Sequence, residues 1–521
     1  MTDMDPMPGQ VIASRATSLE RVSPEERGST GLLKVVARNA TYVLASQVII
    51  KILALIFNVY IVRRLGSVHY GRYAAAQAYV SMFAILTDLG LSPFSVREIA
   101  RNRARGATLI PNVMALRAIL STVAIMGITL SAWLLGKKPD MVFGIFVASC
   151  GLLLYAFQGP LENALIAHER LDLTSTFMVL NQFTFMATGA LLLLSGRGYV
   201  GLLFASLLGI LAHLLASAAT SKRALGLRFG RVAPQQWVPL IKSGLPFGIS
   251  GLAGELSRRF DTVFMSFVLA EAAVGWYNVP YQLVLMTLVL AQSVAVSMYP
   301  SLVRQYDSGR GSIRDTVQRA IRYLLMLSLP LAVGGAILAD RVILVLYGHE
   351  FAPAIGVMRI LVWGLPLMFV AEILGRTSST MHLERRCARI DVVNALVRVP
   401  LVIILVPRVG ITGAAVAMVA TWILWVAQAS IIIGWALLFE GNVRPLLRVA
   451  AAGALLGAII WPLSHVSWLT VLGGKLELLF LVGAGALVYG AGVLLFGAVS
   501  HSEVARVHST LRQRLDRLLE P

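Results

Sequence analysis

The sequence predicts an all-α polytopic membrane protein with about fourteen transmembrane helices. Three properties of the 521-residue chain support this prediction: 57% of its residues are hydrophobic, only 14% are charged, and its mean hydropathy is +0.76. A soluble domain is nearer half apolar and a quarter charged, so its core could not bury this much hydrocarbon. The composition therefore excludes a cytosolic enzyme and a secreted domain, and it excludes a disordered chain, which requires low hydrophobicity.

Apolar stretches of about twenty residues, the length needed to cross the hydrocarbon of a bilayer, recur along the chain. In order, they lie at 40–62, 71–92, 110–135, 141–160, 174–195, 199–220, 240–268, 275–298, 321–339, 354–375, 390–406, 411–434, 446–464 and 476–498. The first twelve predict two six-helix lobes, an N-lobe at 40–235 and a C-lobe at 236–435, and two extra spans follow at 436–500. Because the number of spans is even, both ends of the chain are expected on the same side of the membrane.

Basic residues are concentrated on one side of the predicted membrane protein. The two tails and the loops after even-numbered spans, with the first few residues of the spans that follow those loops, contain 30 of the 45 Lys and Arg residues, whereas the loops after odd-numbered spans, counted in the same way, contain 9. By the positive-inside rule, this bias places both termini in the cytoplasm. The same bias accounts for the formal net charge of +19, so we expect no nucleic-acid partner.

The two tails differ in their patterns. Residues 1–39 mix acidic and basic side chains without a long apolar run, which is typical of a cytoplasmic tail and not of a cleavable signal. In residues 501–521, apolar positions recur at spacings of three and four among arginines, which predicts an amphipathic helix on the cytoplasmic membrane surface. A solvated helix that packs on a loop has the same periodicity, and this alternative stays open.

Two stretches of the chain resemble each other at a distance of six spans. The segment LGSVHYGRY at 65–73 aligns with LAEAAVGWY at 269–277 at an offset of 204, which pairs Gly71 with Gly275. A second match, GRGYVGLLFAS with PRVGITGAAVA, has a similar offset. A shift of six spans preserves topology, so the two lobes are predicted to be parallel repeats with the substrate site between them.

Sequence motifs for catalysis are lacking. The chain contains no GxxxxGK[ST] nucleotide loop, no HExxH zinc motif and no GxSxG elbow, and its loops are too short for a soluble catalytic domain. The two cysteines, Cys150 and Cys387, support neither a disulfide framework nor a metal cluster. We therefore expect a protein that is not an enzyme and that requires no metal and no cofactor.

Six basic side chains lie at membrane depth in the predicted spans, where each costs about 2.5–3.5 kcal/mol if it faces lipid. They must therefore be paired or line a wet cavity, and all six are candidate substrate ligands: Lys51, Arg117, Arg258, Arg259, Arg359 and Arg398. Arg117 has no carboxylate in its own span, which makes it the strongest candidate. Arg398 lies near a span end, from which it could extend to the interface.

Carboxylates in the spans offer partners for these bases. The ion pairs that spacing and neighbouring spans suggest are Glu255–Arg259, Arg258–Asp261 and Lys51–Asp88. Glu372 is in the same span as Arg359 but on the far face of its helix, so Arg359 is expected to need another partner. An anionic substrate would compete with these carboxylates for the arginines, and both interpretations stay open at this point.

Polar and charged residues form stripes on five predicted spans when they are placed at about 100° per residue. The stripe of span two, for example, consists of Tyr70, Gln77, Ser81 and Asp88. The candidate sugar ligands among them are Gln47, Asn58, Gln77, Asn181, Asn278 and Gln282. Stripes on helices of both lobes favour a common aqueous cleft. The alternative is a set of interhelical hydrogen bonds, which is the usual environment of a single polar residue in a membrane bundle.

Span seven contains a run of small residues ahead of its charges. Gly244, Gly248, Gly251 and Gly254 occur together with Pro246. Such a run weakens and bends a helix, which suits a hinge in an alternating-access carrier. Close helix packing of the GxxxG kind is an equally good interpretation.

Six segments resemble the Wzx-type oligosaccharide flippases of the multidrug/oligosaccharidyl-lipid/polysaccharide (MOP) exporter superfamily. They are RRLGSVHYGRY (63–73), TDLGL (87–91), VREIAR (96–101), RRFDTVFMSF (258–267), GWYNVPYQL (275–283) and LYGHEFAPA (346–354). The resemblance extends over roughly residues 40–435. It implies two six-helix lobes around a V-shaped cavity.

The resemblance also implies a function. The chain would flip polyprenyl-diphosphate-linked oligosaccharide from the cytoplasmic to the outer leaflet of the cell inner membrane by alternating access, for cell-surface polysaccharide biosynthesis. Membrane lipids and glycan-assembly proteins would be its other partners. Asp88, Arg97 and Asp261 occupy positions typical of the family. We assign Asp88, Glu255 and Asp261 to gating or ion coupling.

Three other functions stay open. A peptidoglycan-precursor flippase acts on a related polyprenyl diphosphate. A multidrug or cation exporter of the same superfamily would present acidic residues to its substrate, so the six buried bases disfavour it. A membrane scaffold of a glycan-assembly complex would not transport at all.

Overall fold

A computed structural model describes residues 24–224, 230–307, 310–441, 443–466 and 474–498. These residues form helices joined by short turns, and no strand occurs within the described ranges. The N-lobe helices are α1 Pro24–Asp88, α2 Leu91–Arg101, α3 Gly106–Leu134, α4 Pro139–Ala167, α5 Leu171–Leu194 and α6 Gly198–Ala224. The C-lobe helices are α7 Trp237–Val268, α8 Glu271–Asp307, α9 Arg310–Ile337, α10 Ala339–Tyr347, α11 Ala354–Leu361, α12 Gly364–Thr380, α13 Glu384–Val409 and α14 Ile411–Ile433. The remaining helices are α15 Trp435–Phe439, α16 Val443–Leu463 and α17 Gly474–Leu495.

The helices have the length and the apolar surface of membrane spans. Ten helices in the described part of the chain are long and apolar enough to cross a bilayer, or eleven if α11 and α12, bent by 41°, count as one span. Side chains such as Ile431 and Leu487, which are 74% and 77% exposed, suit contact with lipid. The predicted all-α membrane fold is confirmed. Predicted spans one, two and seven lie on α1 and α7, which are not among the ten, so the total of fourteen stays a prediction.

The first two predicted spans form the long helix α1, which is kinked at Gly66. This residue has φ 72° and ψ 177°, a conformation that glycine adopts without steric cost. The break exposes the backbone N–H of Ser67, which donates to Glu350 Oε1 of the C-lobe at 2.7 Å. Gly66 therefore sets the angle between the two spans and also helps to join the lobes.

The repeated segments meet each other in the folded protein. A Cβ atom on Gly71 would overlap the carbonyl oxygen of Glu271 and would lie 3.1 Å from the Gly275 nitrogen. A Cβ atom on Gly275 would likewise overlap the carbonyl oxygen of Ser67. Ser67 and Glu271 differ by the same offset of 204 as the two glycines. The contact is therefore reciprocal, as expected for two repeats related by a pseudo-twofold axis.

This crossing lies on the side that holds the loops after odd-numbered spans (62–71, 135–141, 195–199, 268–275, 339–354 and 406–411), which we call the odd-loop face. The opposite side is called the even-loop face. The lobe boundaries themselves stay a prediction, and so do both tails, because 1–23 and 499–521 lie outside the described residues.

The glycines of span seven serve close packing. Helix α7 continues through them from Trp237 to Val268. A Cβ atom on Gly244 would lie 2.7 Å from the Leu89 carbonyl oxygen, and one on Gly248 would lie 2.9 Å from the Leu89 carbonyl carbon. The N-lobe backbone therefore fits directly against α7 toward the even-loop face, which supports the packing interpretation over the hinge.

The last two spans pack beside the C-lobe. Leu456, Ile460 and Leu481 form a small apolar cluster with Leu338, at the start of α10. The Nε atom of Arg341 on α10 also donates to Glu477 Oε1 on α17 at 2.7 Å. These contacts place α16 and α17 on the outside of the C-lobe, away from the crossing between lobes.

Candidate functional site

A cavity of about 420 Å³ lies between the two lobes. Helices α1 to α4 contribute its N-lobe wall and α7 contributes its C-lobe wall. Its charged lining residues are Asp88, Arg117, Glu255 and Arg258. Ser81, Thr87, Ser92 and Tyr155 are also among the lining residues. The cavity thus brings together two of the six basic candidates and two of the three carboxylates predicted to act in gating or coupling.

Arg117 is held by a carboxylate from another helix. Its Nη1 atom lies 3.2 Å from Asp88 Oδ1, and the two side chains are 8% and 17% exposed. The Ser92 hydroxyl lies between them, because it accepts from Arg117 Nη1 at 3.3 Å and donates to Asp88 Oδ1 at 2.6 Å. The Nε atom of Arg117 has no hydrogen-bond partner within the described residues, so part of its donor capacity is unused.

The ion pair predicted between Lys51 and Asp88 is wrong. Asp88 faces Arg117 and Ser92, and no salt bridge to Lys51 occurs in the part of the chain that the structure describes. The reason is geometric: Asp88 ends α1, and its Oδ2 atom accepts the Ser92 backbone N–H at the start of α2. This short connection turns the carboxylate toward α3 and away from Lys51.

Glu255 on α7 binds two arginines of its own helix. The predicted pair with Arg259 forms, with 3.2 Å between Arg259 Nε and Glu255 Oε1. Arg258 also turns to Glu255, at 2.7 Å, so the predicted pair between Arg258 and Asp261 is wrong. The Arg258 side chain is 60% exposed, and it reaches the cavity between the lobes.

Asp261 instead forms a buried ion pair with Arg398 of α13. Two nitrogens of the Arg398 guanidinium bind the two carboxylate oxygens, with 3.0 Å between Nε and Oδ1. The side chains are only 2% and 6% exposed, and the hydroxyl of Tyr277 donates to Asp261 Oδ2 at 2.9 Å. The prediction that Arg398 extends to the interface is therefore wrong. Neither residue lines the inter-lobe cavity, so both lie apart from the other candidates.

The remaining basic candidate in the C-lobe also lies outside the cavity. Arg359 is exposed on α11 and does not pair with Glu372 within the described residues. Glu372 on α12 bonds to Gln292 of α8. It also interacts with the charge of Arg376, four residues further along α12. This agrees with the expectation that Glu372 lies on the far face of the span and that Arg359 does not pair with it.

Most residues of the polar stripes make hydrogen bonds between or along helices. Asn58 bonds to Tyr70 and accepts from Tyr347, each at 3.3 Å. Asn278 accepts from Thr262 at 3.3 Å and donates to the Val274 carbonyl at 2.9 Å.

Three further members lie away from the charged cavity. Asn181 packs against Gly209, and Gln77 bonds to Tyr73. Gln282 is half-buried on α8 and does not line the cavity, and the Gln47 side chain lies outside the described residues. The common cleft predicted from the stripes is therefore restricted to Ser81 and Asp88 of span two.

The cavity also contains polar residues that were not predicted from the sequence, and Ser92 and Tyr155 are two of them. Ser92 joins Asp88 to Arg117, and Tyr155 lines the N-lobe wall. The sequence gives a signal for the first of them, because Asp88 and Ser92 are four apart in the predicted span 71–92 and would share a face of one helix. The structure brings them together in another way, across the break between α1 and α2. Tyr155 gives no comparable signal, since an aromatic residue in an apolar span usually faces lipid or core.

On the odd-loop face, the lobes are closed by ion pairs as well as by the glycine crossing. Arg72 binds Asp140 of its own lobe and donates to Glu271 of the C-lobe at 2.6 Å. Lys137, in the turn between α3 and α4, donates to the Ser266 carbonyl and lies 3.9 Å above the Phe267 ring. These contacts surround a second cavity of about 460 Å³ at this face.

Closure of the odd-loop face is expected to weaken as the pH falls from about 10.5 to about 8, and to change no further below that range. Burial lowers the pKa of Lys137 from its usual 10.5 to about 8, against the opposing effect of Glu271. In an open state, Lys137 is hydrated and its pKa returns to the usual 10.5. Between pH 8 and pH 10.5 the closed state therefore binds fewer protons at Lys137 than the open state, so lowering the pH through this range favours opening. Spin-label distances across this face should lengthen as the pH is lowered from about 10.5 to about 8, and Lys137→Met should remove the change. Lys138→Met, at a neighbouring lysine that is 68% exposed, should preserve it.

Apolar helices in two repeat-related lobes that enclose a charged cavity define a membrane transporter. The sequence profile of the polysaccharide biosynthesis protein family matches residues 36–305, more than half of the chain. The chain belongs to this family, and it is a membrane flippase or transporter of the MOP superfamily. The resemblance to Wzx-type flippases is thereby confirmed at the level of the family.

Individual relatives agree with this assignment. The chain is 24% identical over 360 residues to the probable low-salt glycan biosynthesis flippase Agl15 of Haloferax volcanii, across 68% of this chain and 74% of that protein. Among solved structures, it is similar to the lipid II flippase MurJ in an inward closed conformation, with a TM-score of 0.67, 13% identity and coverage of 87% and 98%. An inward-facing multidrug transporter of the MATE family gives a TM-score of 0.59, 17% identity and coverage of 76% and 98%. These two likenesses concern the fold alone.

Proposed function

We propose that this chain flips a polyprenyl-diphosphate-linked oligosaccharide from the cytoplasmic to the outer leaflet of the plasma membrane. The observation that supports this proposal most directly is the joint presence of Arg117 and Arg258 in one cavity between the lobes. A diphosphate needs cationic donors, and a guanidinium binds phosphate oxygens through two parallel hydrogen bonds. The even-loop face is then cytoplasmic, as are both termini, in agreement with the distribution of Lys and Arg.

The size of the cavity suits a headgroup. Its volume of about 420 Å³ lies within the range of small-molecule sites, so it can hold the diphosphate and the first sugar. The polyprenyl tail then stays in lipid while the lobes exchange access. Serine and tyrosine hydroxyls of the wall, from Ser81 and Tyr155, supply hydrogen bonds to sugar hydroxyls.

The charge balance of the cavity determines how a membrane potential acts. Arg117 and Arg258 are each neutralised by a carboxylate, so the empty cavity has no net formal charge from these four residues. A bound diphosphate therefore makes the loaded carrier negative. An inside-negative potential then favours its outward movement, by about 2.3 kcal/mol per charge for 100 mV.

The same pairing argues against export of organic cations. A cation would need a free carboxylate in the cavity, but Asp88 faces Arg117 and Glu255 faces both Arg258 and Arg259. A peptidoglycan-precursor lipid shares the diphosphate, so it is the competing ligand to include in a binding test. A scaffold without transport activity would bind neither lipid in the cavity.

The test is native mass spectrometry of the purified protein with a polyprenyl-diphosphate oligosaccharide. Arg117→Met and Arg258→Met are each expected to weaken binding at least about tenfold, or about 1.4 kcal/mol, because a charge-assisted contact to phosphate is lost. Arg359→Met removes an exposed arginine outside the cavity and should leave binding unchanged. The double variant Asp88→Asn/Arg117→Met separates loss of the ligand contact from the effect of an unpaired Asp88.

Two results would contradict the proposal. The first is wild-type protein that binds no polyprenyl diphosphate, and the second is binding that neither arginine affects. Tighter binding of the peptidoglycan precursor would reassign the substrate. A fluorescent lipid-flipping assay in vesicles, with and without a potential, then distinguishes transport from simple binding.

A further inference from the structure

Glu162 is a carboxylate without a basic partner in the N-lobe. It lies near the even-loop end of α4 and accepts a hydrogen bond from Gln158 Nε2 at 2.6 Å. Within the described ranges, no Lys, Arg or His nitrogen lies within salt-bridge distance of it. Asp88, Asp261 and Glu255 differ in this respect, because each of them faces an arginine.

The amide of Gln158 connects Glu162 to a buried histidine. The Gln158 Nε2 atom also lies 3.1 Å from His213 Nε2 on α6, and both side chains are almost fully buried. An amide group has two hydrogens, so it can donate one to Glu162 and the other to the histidine ring. In this arrangement His213 accepts through Nε2 and is neutral. Two proton acceptors therefore share one donor inside the lobe.

Two buried serines of α6 lie next to this cluster, toward the even-loop face, as the constant register between α4 and α6 shows. Gly144 packs against the Tyr199 ring and Gln158 bonds to His213, and each pair is 55 positions apart. The two helices therefore run parallel, and the same register places Ser217 at the level of Glu162. Ser217 is fully buried, and its hydroxyl has no hydrogen-bond partner within the described residues. Ser221, one turn further along α6, is also buried and unpartnered.

Other charged groups around α4 are engaged elsewhere. On α3, Arg117 faces Asp88, the last residue of α1. On α2, Glu98 pairs with Arg105, and on α5, Asp172 pairs with Arg170. Arg97, also on α2, lies over the ring of Phe94. The nearby titratable groups on α4 itself are Tyr155 and His168. The Nδ1 atom of His168 bonds to the Ala164 carbonyl.

We propose that Glu162, with Gln158, His213 and Ser217, forms a proton-binding site between α4 and α6. Protonation converts the Glu162 carboxylate into a neutral acid with one O–H donor, and the Ser217 hydroxyl can accept that hydrogen. A proton satisfies a single half-buried carboxylate without any further ligand. A metal ion would need several anionic or oxygen ligands, and no cluster of three or more His, Cys, Asp or Glu side chains occurs in the described part of the chain.

The proton site is adjacent to the arginine cavity. Gly159, one turn before Glu162, packs so closely on Arg117 that a Cβ atom there would lie 2.6 Å from Nη1. Tyr155, on the same helix, lines the cavity wall. Neutralising Glu162 removes a negative charge from the surroundings of Arg117, and this changes the attraction of the guanidinium for an anionic ligand. This coupling, unlike the proton site itself, rests on the proposed function.

The direct test is infrared difference spectroscopy of the full chain in nanodiscs between about pH 5 and about pH 8, a range in which buried carboxyl groups titrate. Wild-type protein should show the band of a protonated, half-buried carboxyl, and Glu162→Gln should lose it. Asp172→Asn, at a carboxylate paired with Arg170 in the same lobe, should retain it. Ser217→Ala gives a second variant with a small change of volume, and it should shift the band because the acid loses its hydrogen-bond acceptor.

Two spectroscopic results would overturn the proton site. One is a carboxyl band that persists unchanged in Glu162→Gln. The other is a band that sodium ions abolish at constant pH, since sodium then occupies the site. The spectroscopy uses no lipid substrate, so its result is independent of the lipid-binding test. The coupling is tested separately: lipid affinity should vary with pH in wild-type protein and should be constant in Glu162→Gln.

Discussion

Removing either partner of the pair between Asp261 and Arg398 is expected to lower the free energy of unfolding by about 3–5 kcal/mol, because the other charge is left buried and unpaired. The two side chains are 2% and 6% exposed, and two guanidinium nitrogens bind the two carboxylate oxygens. Asp261→Asn keeps the shape of the side chain and an acceptor for Tyr277, so its effect isolates the lost charge. Arg398→Met removes the cation while retaining most of the volume.

Chemical unfolding in detergent micelles measures this effect. The double variant Asp261→Asn/Arg398→Met should be more stable than either single variant, since no unpaired charge remains. Arg170→Met breaks an ion pair whose side chains are 43% and 35% exposed, and it should cost at most about 1 kcal/mol. Single variants as stable as wild type would show that the pair is hydrated or dispensable.

Substituting Gly71 by valine is expected to prevent closure of the odd-loop face. Any Cβ atom at this position overlaps the Glu271 carbonyl oxygen, which is backbone and cannot rotate away. The lobes must then separate or tilt at their crossing, so the population with this face closed should fall sharply. Because alternating access requires both closed states, transport should fall together with closure.

Electron paramagnetic resonance measures the separation directly, with spin labels at the exposed residues Arg197 of the N-lobe and Val409 of the C-lobe, after Cys150 and Cys387 are replaced. Gly71→Val should give longer distances than wild type. The matched control is Gly127→Val, because a Cβ atom at this helical glycine would meet no atom within 4 Å. Identical distance distributions for wild type and Gly71→Val would show that the glycine crossing does not hold the lobes together.

The candidate site shows which ion-pair partners helical periodicity predicts and which it does not. Spacing along α7 correctly predicted that Glu255 binds Arg259, since the partner lies on the same helix four residues away. It failed for Asp261, whose partner Arg398 lies 137 positions further along the chain. It also failed for Arg117, which has no carboxylate in its own span but meets Asp88 at the junction of α1 and α2.

The sequence by itself determined the membrane class, the helical fold and the repeat that brings Gly71 to Gly275. These properties follow from the cost of burying each residue in lipid and from a local periodicity, both of which are readable along the chain. Only the tertiary structure decided which polar residues line a cavity and which bond within the bundle. Periodicity fixes the face on which a side chain lies, but the helix that covers this face is set by the packing of the whole protein.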